Sequence, residues 1–132
     1  MAGCPGLRLG QADRGHLRVG EDHLRYGGVV GLTESQARAA GHSVRTVEYA
    51  LGDVSGAALH AEGYSGHAKL VVDSDREVLL GATFVGQDSA ELVHAATVAL
   101  VGEVPISRLW HAVPSFPTMS EVWLRLLEEW GR

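Results

Sequence analysis

With 132 residues, 45% of them hydrophobic and 20% charged, the chain is sized and composed for one globular domain with a real core rather than for a disordered segment. A net charge of −5 without a run of basic residues gives no electrostatic footprint for nucleic acid or an anionic membrane surface, and the apolar runs Val78 to Leu80 and Ala95 to Val101 fall far short of the roughly 20 residues that cross a bilayer. The single cysteine, Cys4, excludes a disulphide framework, a CxxC redox pair and a cysteine-rich zinc site within this chain; with no evident secretory signal, a cytoplasmic setting is expected.

Residues 1–28 are rich in Gly and Arg and keep neither period 2 nor period 3.6, which reads as an irregular or poorly ordered segment before a domain spanning 29–132. Thr33 with Gln36 three residues on forms a capping-box pattern, and Gly41 stands where a left-handed C-cap residue is wanted, so a short helix is expected up to about Ala40. Val44 to Leu51 alternates as a strand, with Arg45, Val47, Tyr49 and Leu51 on one side. His67 to Val72 and Val78 to Val85, parted by a polar spacer, predict a hairpin. An unbroken period of two in its second arm puts Leu79 and Val85 on one face and Val78, Leu80, Ala82 and Phe84 on the other, the pattern of a central strand covered on both sides. Asp88 with Glu91 opens a helix whose Leu92, Ala95, Ala96, Ala99 and Leu100 recur at helical spacing. Pro105 suits the first turn of a short helix ending near Trp110, Pro114 and Pro117 break the chain, and Thr118 opens a last helix running to Trp130. Grouped strands followed by grouped helices predict an α+β fold with a mainly antiparallel sheet of four or five strands.

The chemistry-bearing residues are sparse. Seven histidines show no HxxxH, HxH or Cys-His spacing, so His94 and His111 read as a helix-surface and a loop histidine and no metal site is expected. Gly52 and Gly56 lack the GxGxxG or GxxxxGK patterns that cradle phosphates, and Glu128 and Glu129 are neighbours on a helix, which points them to different faces.

Several segments, taken together and in order, do carry a resemblance. Phe116-Pro117-Thr118-Met119-Ser120-Glu121 resembles the HPTLSE segment of the FAD-dependent pyridine nucleotide-disulphide oxidoreductases, the family of dihydrolipoamide dehydrogenase, glutathione reductase and mercuric reductase. Gly31 to Glu34 is similar to its GLTE opening, Gly66 to Asp73 to its GxxKLVVD strand, and Leu80 to Gly86 to its LGAxxVG strand. The resemblance covers about residues 29–128 and implies the C-terminal dimerisation domain of a homodimeric flavoenzyme. It further implies that the general acid/base histidine of the thiol-reducing members is replaced here by Phe116, which cannot move a proton, while Glu121, its family partner, is retained. Glu121 also stands at the third position after Thr118, and a reciprocal capping box is the expected use of its carboxylate.

No catalytic, cofactor-binding or metal-ligating residue is therefore expected in this chain. FAD and NAD(P) belong to the full-length family, whose flavin fingerprint and CxxxxC pair are not found in this sequence, and residues 1–28 do not resemble the FTDPEVA lead-in to its first strand, so an altered sheet edge is expected. The predicted job is homodimerisation, through Phe116 and the apolar stripe of Trp123, Leu127 and Trp130 on the last helix. The rival is a fragment or subunit that completes a flavin site in trans, with the FAD/NAD(P)-binding domains of a parent enzyme as partner. A small-ligand domain is a third reading, which an apolar pocket with convergent polar groups would support.

Overall fold

A computed structural model describes residues 27–131 of the chain. Four strands form one antiparallel sheet in the order β1-β4-β3-β2: β1 is Gly27–Gly31, β2 Val44–Ala50, β3 Gly66–Asp73 and β4 Val78–Gly86. Five helices accompany it, α1 (Glu34–Ala39), α2 (Ser55–His60), α3 (Ala90–Val101), α4 (Ile106–Leu109) and α5 (Glu121–Trp130). This is the expected α+β class with four strands. Gly27 and Gly28, placed in the irregular segment by the sequence reading, are already paired with Val85 and Phe84, so the edge strand starts before Val29. The remainder of that segment, residues 1–26, lies outside the described residues.

Local signals explain most elements. The Thr33 side chain accepts the Gln36 N–H while Gln36 accepts the Thr33 N–H, closing the predicted box, and Gly41 takes a φ of 88° that only glycine adopts without strain. In β2 the Val47 and Tyr49 side of the strand turns to the core, as the alternation requires.

One face of the sheet carries the main core. α3 packs on β4 and β1, α5 packs on β2 and β3, and Phe84, Leu51, Leu70 and Leu126 are fully enclosed between them. The other face carries a small cluster of Ala37, Val71 and Leu80 under α1.

Two sequence expectations are corrected here. In β4 the alternation breaks: Val71 pairs with Gly81 but Val72 pairs with Leu79, so Leu80 is the extra residue of a bulge. Leu79 therefore joins Ala82 and Phe84 in the main core and Leu80 turns to the opposite face, where its carbonyl accepts the Leu32 N–H at 2.8 Å. The helix predicted from Asp88 begins at Ala90 instead. Asp88 lies in the left-handed region at φ 55° and pairs with His60 at 2.9 Å, so its carboxylate is used across the fold rather than as a cap. Within α3 the inward residues are Leu92, Val93, Ala96 and Ala99, whereas Ala95 and His94 face solvent.

Candidate functional site

The segment 110–120 connects α4 to α5 and leads into α5 through Phe116 to Glu121, one of the segments that carry the family resemblance. The Phe116-Pro117 peptide is cis, and Phe116 is 73% exposed. Thr118 Oγ1 donates to the Ser115 carbonyl, and the helix begins three residues later, after Ser120. The predicted Thr118–Glu121 capping box is therefore absent.

Glu121 has a different task. Only 3% of it is exposed, and its carboxylate accepts the Ser55 N–H at the start of α2 at 3.0 Å and the Arg125 guanidinium at 2.7 and 3.1 Å. Burial opposes ionisation, but the hydrogen bonds from Arg125 and Ser55 outweigh it and hold the carboxyl below its ordinary value. Glu121 thus fastens the first turn of α2 to the first turn of α5. Gly56 completes this junction: a Cβ there would stand 2.2 Å from the Thr118 carbonyl carbon and 2.5 Å from the Met119 nitrogen, so the two segments touch backbone to backbone. Phe116 is left exposed on the outside of a loop whose far end is anchored.

The arginine was within reach of sequence reasoning, since Glu121 and Arg125 are four apart on a helix. Ser55 was not, because nothing local marks a backbone N–H 66 residues away as the acceptor's target.

The four residues expected at an interface divide. Phe116 is outside. Trp123 and Leu127 are 9% and 3% exposed, face the core, and with Ala99, Val104 and Leu109 form the floor of a groove of about 440 Å³ between α3, α4 and α5. They are not projecting anchors. The apolar stripe of α5 is occupied by its own protomer, with Trp123 tilted against Phe84 at 5.6 Å between centroids and its indole N–H buried without an acceptor among the described residues. The groove wall also includes Val98, 56% exposed, and the segment that carries Val113, 82% exposed; Val101 on α3 is 81% exposed. Trp130 is half-buried at the end of α5, under the Arg45 guanidinium at 4.3 Å from its ring centroid.

Three of the histidines sit in separate pairs, His42 with Asp73 at 2.9 Å, His60 with Asp88, and His67 with Glu48 at 3.1 Å. Among the described residues no group of three or more His, Cys, Asp or Glu side chains could hold a metal ion, and no helix is long and apolar enough to cross a membrane. Glu128 and Glu129 are exposed, with Glu128 bridged to Arg125 at 3.0 Å.

Residues 26–127 match the model of the pyridine nucleotide-disulphide oxidoreductase dimerisation domain. The chain is 39% identical over 92 residues to dihydrolipoyl dehydrogenase of Thermus scotoductus, covering 70% of this chain and 20% of that protein. It is 35% identical over 92 residues to mercuric reductase of Staphylococcus aureus, covering 70% and 17%. Among solved structures, the Cu(II) complex of an HOCl-induced flavoprotein disulfide reductase from Escherichia coli superimposes with a TM-score of 0.70 at 27% identity, over 77% of this chain and 23% of that one. The chain spans about a fifth of the length of these relatives.

Proposed function

We propose that this chain, which belongs to the pyridine nucleotide-disulphide oxidoreductase dimerisation-domain family, is a homodimerisation module that joins two copies across the groove between α3, α4 and α5. The observation that carries this reading is the apolar lining of that groove, where Val98, 56% exposed, stands over a floor of Trp123 and Leu127. Val101, one turn further along α3, and Val113, between the lining residues Ala112 and Pro114, are more than 80% exposed as well. Exposed apolar side chains at a groove mark a contact area, and a closed two-fold pairing buries the same patch on both copies. The chain itself holds neither FAD nor NAD(P)H in this proposal and works in the cytoplasm, and reductase activity belongs to the domains it would serve.

A second reading rests on Phe116. Its ring stands free on a loop whose end is tied down by Glu121 and Gly56, as a residue would that meets the flavin-binding part of another chain. It would offer packing there and no proton transfer.

Light scattering over a concentration series tests the main reading. A dimer that becomes monomeric in Val98→Asp and Val113→Asp, with unchanged circular dichroism, is the expected result. A wild-type monomer at high micromolar concentration would refute it. A dimer indifferent to both substitutions would move the interface elsewhere.

A further inference from the structure

The groove between α3, α4 and α5 is apolar except at one point. Among the described residues that line it, Arg108 on α4 is the one that carries a charge, set among Ala95, Val98, Val104 and Leu127. A second copy laid over the groove takes water away from that guanidinium, and taking a cation out of water without a counter-charge is costly. A copy that fits the groove therefore brings a carboxylate to Arg108.

The walls of the groove show which carboxylate that is. On α5, Glu121 is buried against Ser55 and Arg125, Glu128 is bridged to Arg125, and Glu129 stands two positions from the lining residue Leu127, on another side of the helix. Glu103, between α3 and α4, is bridged to Arg76 at 2.7 Å. Glu91 on α3 differs. It is exposed, and it lies four residues before Ala95 and seven before Val98, on the face of α3 that lines the groove. It stands in the first turn of that helix, whereas Arg108 belongs to the helix that follows the far end, where the Val104 N–H donates to the Ala99 carbonyl at 2.9 Å. Negative charge thus marks one end of the groove and positive charge the other. A two-fold axis along the groove would set Glu91 against Glu91 and Arg108 against Arg108. An axis across it reverses one copy and brings unlike charges together.

On the reading that two copies associate across this groove, we propose that they lie antiparallel, so that Glu91 of one protomer meets Arg108 of its partner and the pair is formed twice. Ion pairs at the edge of an apolar contact contribute modestly to affinity, but they fix its register, because a wrong alignment sets like charges together.

Charge reversal read by light scattering tests this. Arg108→Glu and Glu91→Arg should each weaken self-association by about tenfold or more, because either homodimer then holds like charges at both symmetric points. Mixed in equal amounts, at a concentration where each alone is monomeric, the two variants should regain the dimer mass, since both contacts of the heterodimer are again attractive. The milder Arg108→Gln should weaken the dimer by about threefold at low salt, an effect that fades at about 1 M salt. A wild-type monomer would refute association as such. A dimer that persists in both reversal variants, or a mixture that associates no better than either variant alone, would overturn the antiparallel pairing and leave the association itself standing.

Discussion

Replacing Glu121 with alanine should destabilise the domain by about 2 kcal/mol, because it removes the acceptor of the half-buried Ser55 N–H at the start of α2. The loss of the Arg125 bridge adds little, since that guanidinium is 36% exposed and keeps Glu128. Urea unfolding followed by tryptophan fluorescence should show the midpoint falling by about 1 M. The decisive measurement is a cycle with Ser55→Pro. Ser55 is the first residue of α2, where proline is tolerated, and Val54 before it is already extended at ψ 148°. In the wild-type background this substitution removes the donor that Glu121 holds and should cost stability. In the Glu121→Ala background the donor has no acceptor left, so the same change should be neutral or stabilising. A coupling of about 1 kcal/mol or more is expected, whereas additive effects would refute the assignment of Glu121 to Ser55.

Gly56→Ala should cost about 3 kcal/mol or more, measured in the same way, because its Cβ would meet backbone that cannot rotate aside. Thr118→Ala and Glu121→Ala should be additive, since the hydroxyl bonds Ser115 and not the helix start; a coupling between them would restore the capping box. Acid should weaken the fold through Glu121 and Asp73. In both, burial opposes ionisation but is outweighed, by Arg125 and Ser55 for Glu121 and by His42 and the Arg76 and Asp75 N–H groups for Asp73, so the folded values lie below the ordinary 4.5 and 3.8. Their contribution is complete above the ordinary range and is lost as pH falls through the folded values, so stability should be level near neutrality and decline below about pH 4.5; stability unchanged down to about pH 2 would refute this assignment. Phe116→His should confer neither flavin absorbance that survives dialysis nor NAD(P)H oxidation on the isolated chain, because an imidazole without a cofactor has nothing to protonate.

What could be read from sequence followed from how far each interaction reaches along the chain. The Thr33–Gln36 box, the Gly41 cap and the β3–β4 hairpin are made by residues within a few positions of each other, and their patterns were sufficient. The β4 bulge was hidden because Leu79 and Leu80 look alike to an alternation rule, and only pairing with Val71 and Val72 separates them. Asp88 and Glu121 both matched local capping patterns, but His60 and Ser55, supplied by α2, hold them instead. The Trp123 stripe was read as surplus because nothing in a helix reveals how much protein lies over it; Phe84 and α3 turn out to be close enough to bury it. Family resemblance supplied the fold at long range where periodicity could not.

The strand order gives β1 an importance out of proportion to its five residues. β2, β3 and β4 follow one another in sequence and can assemble as a meander, whereas Gly27–Gly31 must return across the whole of that meander to meet Val85 through Gly81. Pairing of this long range closes late, after the local hairpin. Until it does, β4 presents an open row of N–H and C=O groups along the most apolar strand of the sheet, a template for pairing with another molecule. A chain trimmed before Val30 would keep its core residues and still aggregate, because what it loses is the edge guard.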